Sequence, residues 1–127
     1  MKYLLDTHAL IWYFEDSVDM PVKITNLIDD PIYQKFISAT SLWEIAIKSN
    51  IDKLNMRLSF DELLDIIESS ELAVIPINSA HLKGLSKLPF IHKDPFDRLL
   101  ISTAIAEKMT LITIDENIQK YDVLWAW

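Results

Sequence analysis

The chain has no cysteine and only one glycine, Gly84. Without cysteine there is neither a disulfide framework nor a thiolate metal site. A single glycine cannot build the Gly-rich loop of a P-loop protein or the fingerprint of a dinucleotide-binding fold, so both classes are excluded. Long apolar runs are missing too: the opening run Tyr3-Leu4-Leu5 stops at Asp6, and nothing approaches the roughly 20 residues that a membrane-spanning helix needs. The expectation is a soluble, cytoplasmic protein with no membrane partner. Positive charge is in short supply, with 12 Lys and Arg against 19 Asp and Glu and a formal net charge of −7. That argues against a protein whose whole surface grips nucleic acid. It leaves open a local grip on phosphate through acid-bound metal ions and a few lysines.

What is present fits one compact domain over residues 1–127, with 50% hydrophobic residues to supply a core. Strand-like and helix-like segments alternate. Residues 2–6 read as a strand, followed by a helix through His8–Phe14 and another over 21–29. Lys35–Ser38 resembles a short strand, and Ser41 is read as opening the next helix, with Glu44 in its first turn. Ser59 and Glu62 form a capping-box pattern before an apolar helix. Leu72–Ile75 is a third strand, Ser79 precedes a short helix to about Lys87, and Asp94-Pro95 opens a long one. Residues 110–114 and part of Val123–Trp127 complete the strands. Such alternation indicates an α/β domain with a parallel sheet.

The acids fall where such a sheet would use them. Asp6 closes the first strand run and Asp115 closes Leu111-Ile112-Thr113-Ile114, and parallel sheets bind ligands beyond the carboxyl ends of their strands. Glu44 sits among apolar neighbours, and Asp97 lies near the start of the long helix. Four carboxylates gathered there stay ionised only if a cation neutralises them, and hard oxygen donors suit Mg²⁺ or Mn²⁺. Each acid also has a bland role. Asp6 (or Thr7) can cap the next helix, Glu44 can pair with Lys48 four residues on, Asp94 is a good N-cap, Asp97 suits the helix macrodipole, and Asp115 can cap or turn. Thr113 is placed to point the same way as Asp115 and hold a water. Lys48 and Arg98 are candidate phosphate contacts. Histidines 8, 81 and 92 lack metal-ligand spacing with one another, and no serine sits in a nucleophile-elbow context. Trp12, Tyr13 and Phe14, with Trp125 and Trp127, suit core or oligomer packing better than base stacking.

Taken in order, Asp6-Thr-His-Ala-Leu-Ile-Trp, Ser41-Leu-Trp-Glu-Ile-Ala-Ile-Lys, His92-Lys-Asp-Pro-Phe-Asp-Arg-Leu-Leu-Ile and Thr113-Ile-Asp115 make the chain resemble the PIN-domain family, especially its VapC-type toxins. The likeness spans essentially the whole chain. It implies a three-layer α/β/α PIN-like domain with a central, mainly parallel sheet. It implies a metal-dependent endoribonuclease whose catalytic and metal-binding residues are Asp6, Glu44, Asp97 and Asp115, with Mg²⁺ or Mn²⁺ as cofactor and Asp94 as an alternative third acid. The implied partners are an RNA substrate, a cognate antitoxin protein and a second copy in a homodimer. Two rival readings remain. One is a non-catalytic PIN-like module that binds protein or RNA. The other is a receiver-like signalling domain, which would want an acidic pair after the first strand and a lysine after the last; Asp6 stands alone and residues 123–127 hold no lysine.

Overall fold

The computed structural model describes residues 1–127. Five short apolar segments form strands: β1 (Lys2–Leu5), β2 (Gln34–Ser38), β3 (Ala73–Ile75), β4 (Thr110–Ile112) and β5 (Trp125–Ala126). They make one sheet in the order β3-β2-β1-β4-β5, and every pairing is parallel. Parallel neighbours must be joined by crossovers, and seven helices supply them. These are α1 (Thr7–Phe14), α2 (Val22–Asp29), α3 (Ala39–Asn50), α4 (Phe60–Ser69), α5 (Ser79–Lys87), α6 (Pro95–Glu107) and α7 (Glu116–Gln119).

Alternation along the strands divides the core into two halves. Tyr3, Leu5, Ile37 and Ile112 pack with residues of α1 to α4, whereas Leu4 and Leu111 pack with Leu100, Ile101 and Ala104 of α6 and Ile118 of α7. The result is an α/β/α sandwich with the central strand buried on both faces. Helix α5 lies against α6 at Gly84, where an added Cβ would sit 2.7 Å from Ser102 Oγ. The lone glycine therefore serves a close helix–helix approach. Trp12 and Trp127 pack together with ring centroids 5.8 Å apart, tying α1 to the C-terminus. No helix is long and apolar enough to cross a membrane.

Helix N-termini line the carboxyl edge of the sheet, and their caps move several boundaries from where periodicity puts them. The first strand ends at Leu5 rather than residue 6, because Asp6 turns to cap α1, Oδ1 accepting from the Ala9 N–H at 2.8 Å. Thr7 is not the cap. The fourth strand ends at Ile112 rather than 114; Asp115 caps α7, Oδ1 accepting from the Asn117 N–H at 2.8 Å. Helix α3 starts at Ala39, not Ser41, since Ser38 Oγ already accepts from the Thr40 N–H at 3.0 Å. Glu44 consequently lies in the second turn instead of the first. Asn78, not Ser79, caps α5 through a reciprocal pair with His81. The Ser59–Glu62 capping box and the Asp94-Pro95 start of α6 form as the sequence indicates.

Candidate metal centre

Strands β1 and β4 are neighbours at the point where the chain reverses its direction across the sheet, and open α/β sheets bind ligands beyond the carboxyl ends of the strands at such a point. Asp6 stands there, only 2% exposed. Burial pushes its pKa up; the Thr113 hydroxyl and the Ala9 N–H work in the opposite direction, and the charge of Asp115 adds to the rise. Thr113 is itself fully buried, and its Oγ1 accepts from the Asp115 N–H at 3.0 Å. One threonine thus links the acids that follow β1 and β4.

From the other side, the first turn of α6 brings in Asp97. Ligand atoms of His92, Asp97 and Asp115 all lie within 4.8 Å of one another. The His92 Nε2 is 2.9 Å from Asp97 Oδ2, and the two side chains are 19% and 18% exposed. The Asp97 carboxyl is pushed up to about 6, chiefly by burial; the bond to His92 lowers it, while Asp94, Asp115 and Glu44 raise it by repulsion. Burial and the neighbouring carboxylates thus make ionising Asp97 at neutrality costly to the fold.

Glu44 reaches the same region from α3, yet its oxygens are occupied. Oε1 accepts from the Thr7 hydroxyl at 2.6 Å and Oε2 from Lys48 Nζ at 2.5 Å. The bond to Glu44 holds the Lys48 pKa up, and Asp94 and Asp97 are near enough to add to the effect. One turn before Glu44, Thr40 Oγ1 is the one buried side-chain polar atom without a hydrogen-bond partner. The structure therefore gathers the four acids unevenly: Asp97 and Asp115 converge with His92, Asp6 joins through Thr113, and Glu44 is turned toward Lys48. Asp94 caps α6 and acts on Asp97 as a neighbouring charge.

The donor set fits a hard divalent cation. Each capping acid uses Oδ1 for its helix N–H, as at Asp6, Asp94 and Asp115, which leaves Oδ2 of Asp94 and Asp115 for another partner, while Asp6 also takes the Thr113 hydroxyl. A cation would offset the burial and the repulsion that raise the Asp97 carboxyl. Cys-rich chemistry is absent, and oxygen donors dominate.

The sequence matches the PIN domain family over residues 3–124. The chain belongs to the PIN domain family. Among solved structures, this PIN domain is similar to VapBC2 from Rickettsia felis bound to a DNA fragment from their promoter, with 21% identity, a TM-score of 0.76 and coverage of 99% of this chain and 98% of that one. It is likewise similar to DNA-bound VapBC from Salmonella typhimurium, with 16% identity, a TM-score of 0.73 and coverage of 99% and 97%. FitAcB from Neisseria gonorrhoeae aligns at 17% identity with a TM-score of 0.67, covering 97% and 95%. At these identities the likeness is one of fold. No curated protein matches in sequence.

Two features of this PIN domain differ from the sequence reading. Arg98, a candidate phosphate contact, is committed to the loop before α6: it donates to the carbonyls of Pro89 and Leu88 and to the Tyr121 hydroxyl, and stacks over Phe90 with 4.8 Å to the ring centroid. His92 was not a candidate, since the histidines show no ligand spacing with one another. Its signal was its place two residues before the Asp94 cap, which faces it to the first turn of the helix it precedes.

Proposed function

We propose that the whole chain is one PIN domain acting as a divalent-cation-dependent endoribonuclease, the toxin of a toxin–antitoxin pair. Supporting this reading is the convergence of His92, Asp97 and Asp115 beside buried Asp6, at the sheet edge where α/β folds bind ligands. Catalytic and metal-binding roles are assigned to Asp6, Asp97 and Asp115, with Glu44 as the fourth acid once it exchanges Lys48 for the cation. When bound, Mg²⁺ or Mn²⁺ supplies charge neutralisation, a more acidic water and stabilisation of charge developing on a phosphodiester.

The chain's own residues do the positioning. Thr113 orients Asp6 and the backbone of Asp115, Thr7 orients Glu44, and the N-caps fix the carboxylates to rigid helix starts. Lys48, 37% exposed at the rim, offers a positive charge to a phosphate in an otherwise acidic surface. No covalent intermediate is needed: the chain has no cysteine, and Ser41 is buried, its hydroxyl bonded to that of Thr7 at 3.1 Å. The relatives in fold are VapBC and FitAcB complexes, which supports a cognate antitoxin as partner; an acidic cluster would favour a basic side chain on it. A cytoplasmic homodimer completes the proposal.

The test is cleavage of RNA by the purified protein with Mg²⁺ or Mn²⁺ and with EDTA. Cleavage that needs the ion and falls at least about 100-fold in Asp6→Asn and Asp97→Asn is expected. Ion-independent cutting, or full activity in both variants, removes the nuclease assignment. The Glu44–Lys48 pair favours the rival non-catalytic module, because it already neutralises one of the acids; RNA binding without cleavage under any ion would select it.

A further inference from the structure

We propose that His92 is a nitrogen ligand of the cation at this site, which makes the centre a mixed nitrogen–oxygen one rather than an all-carboxylate one. The inference rests on the cation-dependent reading above and adds a donor to it.

Three observations carry it. The first is distance. Adjacent ligands of an octahedral ion with bonds of about 2.0–2.1 Å lie about 2.9 Å apart, and His92 Nε2 stands 2.9 Å from Asp97 Oδ2. In the cation-free protein the two atoms share a hydrogen bond, at a spacing that a common ion would also accept, with an Asp115 ligand atom inside the same 4.8 Å group.

The second is that the loop carrying His92 is held in place. The N–H groups of Ile91 and His92 donate to the Tyr121 hydroxyl at 3.0 and 2.8 Å, and Arg98 Nη1 donates to the same oxygen at 3.0 Å. Arg98 also takes the carbonyls of Leu88 and Pro89 and covers Phe90. Arg98 follows Asp97 directly in α6, so the strap that secures residues 88–92 is anchored one residue from the carboxylate His92 meets. Imidazole and carboxylate are thereby fixed in one frame. Such support is what a ligand needs to keep its geometry.

The third is access. At 19% exposure the His92 side chain is neither sealed in the core nor free in solvent, which suits a ligand that an ion must reach from solvent. The neutral imidazole would offer the Nε2 lone pair, with its proton on Nδ1.

The consequence is selectivity. Imidazole favours later first-row ions, whereas Mg²⁺ prefers oxygen and keeps its waters. Affinity is expected to rise from Mg²⁺ to Mn²⁺ to Co²⁺. In His92→Ala the Mn²⁺ and Co²⁺ affinities fall about 10-fold or more, while that for Mg²⁺ changes little. In Tyr121→Phe, which keeps the imidazole but loses the hydroxyl that positions it, the Mn²⁺ affinity falls several-fold.

Pulsed electron paramagnetic resonance of Mn²⁺ bound to the full chain, with calorimetric titration of each ion, tests this without reference to activity. A histidine-type nitrogen coupling in the wild type that vanishes in His92→Ala is expected. Mn²⁺ whose binding depends on Asp97 but shows no nitrogen coupling overturns the role of His92 and leaves the carboxylate site standing. A coupling that persists in His92→Ala, as it would if His8 beside Asp6 were the donor, overturns it as well. Mn²⁺ affinity unchanged in Asp97→Asn overturns the underlying cation site and the inference with it.

Discussion

Replacing Asp97 with asparagine should stabilise the cation-free protein while removing its response to the cation. Burial and neighbouring acids raise the Asp97 carboxyl from 3.8 to about 6. A folded-state acid pKa above the unfolded one means that the folded protein binds the proton more tightly. Stability is then lost as pH rises from about 4 to about 6, and the full loss persists above that window. The gap corresponds to about 3 kcal/mol at neutrality. Asparagine keeps the shape without the charge, so Asp97→Asn is expected to be about 1–3 kcal/mol more stable than the wild type at pH 7.5 in EDTA, the lower end allowing for a weaker bond to His92 and partial solvation. At pH 4.5 the advantage should shrink to about a third. Urea unfolding at the two pH values measures both quantities. Saturating Mn²⁺ at about 100 times its Kd should add about 2.7 kcal/mol to the wild type and nothing comparable to the variant. An asparagine variant no more stable than the wild type at pH 7.5 in EDTA, or an advantage that ignores pH, would refute the reasoning.

Other consequences can be checked singly. Lys48→Met should destabilise the cation-free protein by about 1–3 kcal/mol, since it strands a buried Glu44 carboxylate, and should tighten Mn²⁺ binding several-fold by freeing that carboxylate; calorimetric titration reads the second effect. Gly84→Val should cost about 1–3 kcal/mol by pressing α5 away from Ser102, seen as a lower urea midpoint. Lys108 ends α6 in the left-handed region at φ 56°, so Lys108→Gly should add about 1 kcal/mol with RNA cleavage unchanged.

Architecture was legible because the apolar strand runs are short, nearly continuous and separated by helix-period segments, as a sheet buried on both faces requires. Boundaries were less legible where a polar residue ends one element and caps the next. Asp6 and Asp115 look like strand ends by position, yet each spends one oxygen on a helix N–H. The capping and site roles treated as alternatives in the sequence are compatible, because a carboxylate has a second oxygen and helix starts are what the sheet's carboxyl edge presents. Glu44 shows the opposite limit: its spacing from Lys48 marked the pair, but only packing reveals that Thr7 takes the other oxygen. His92 and the Arg98–Tyr121 strap escaped notice because they depend on a loop closing over residues up to 30 positions away in sequence, which periodicity cannot report.

The most direct test of the central claim is a crystal of the full chain grown with Mn²⁺ and measured at an anomalous wavelength. One strong peak within ligand distance of Asp97 and Asp115 and next to Asp6 is the expected result. Well-ordered Asp6, Asp97 and Asp115 side chains with no peak at saturating Mn²⁺, or a peak bound elsewhere on the molecule, would contradict the account.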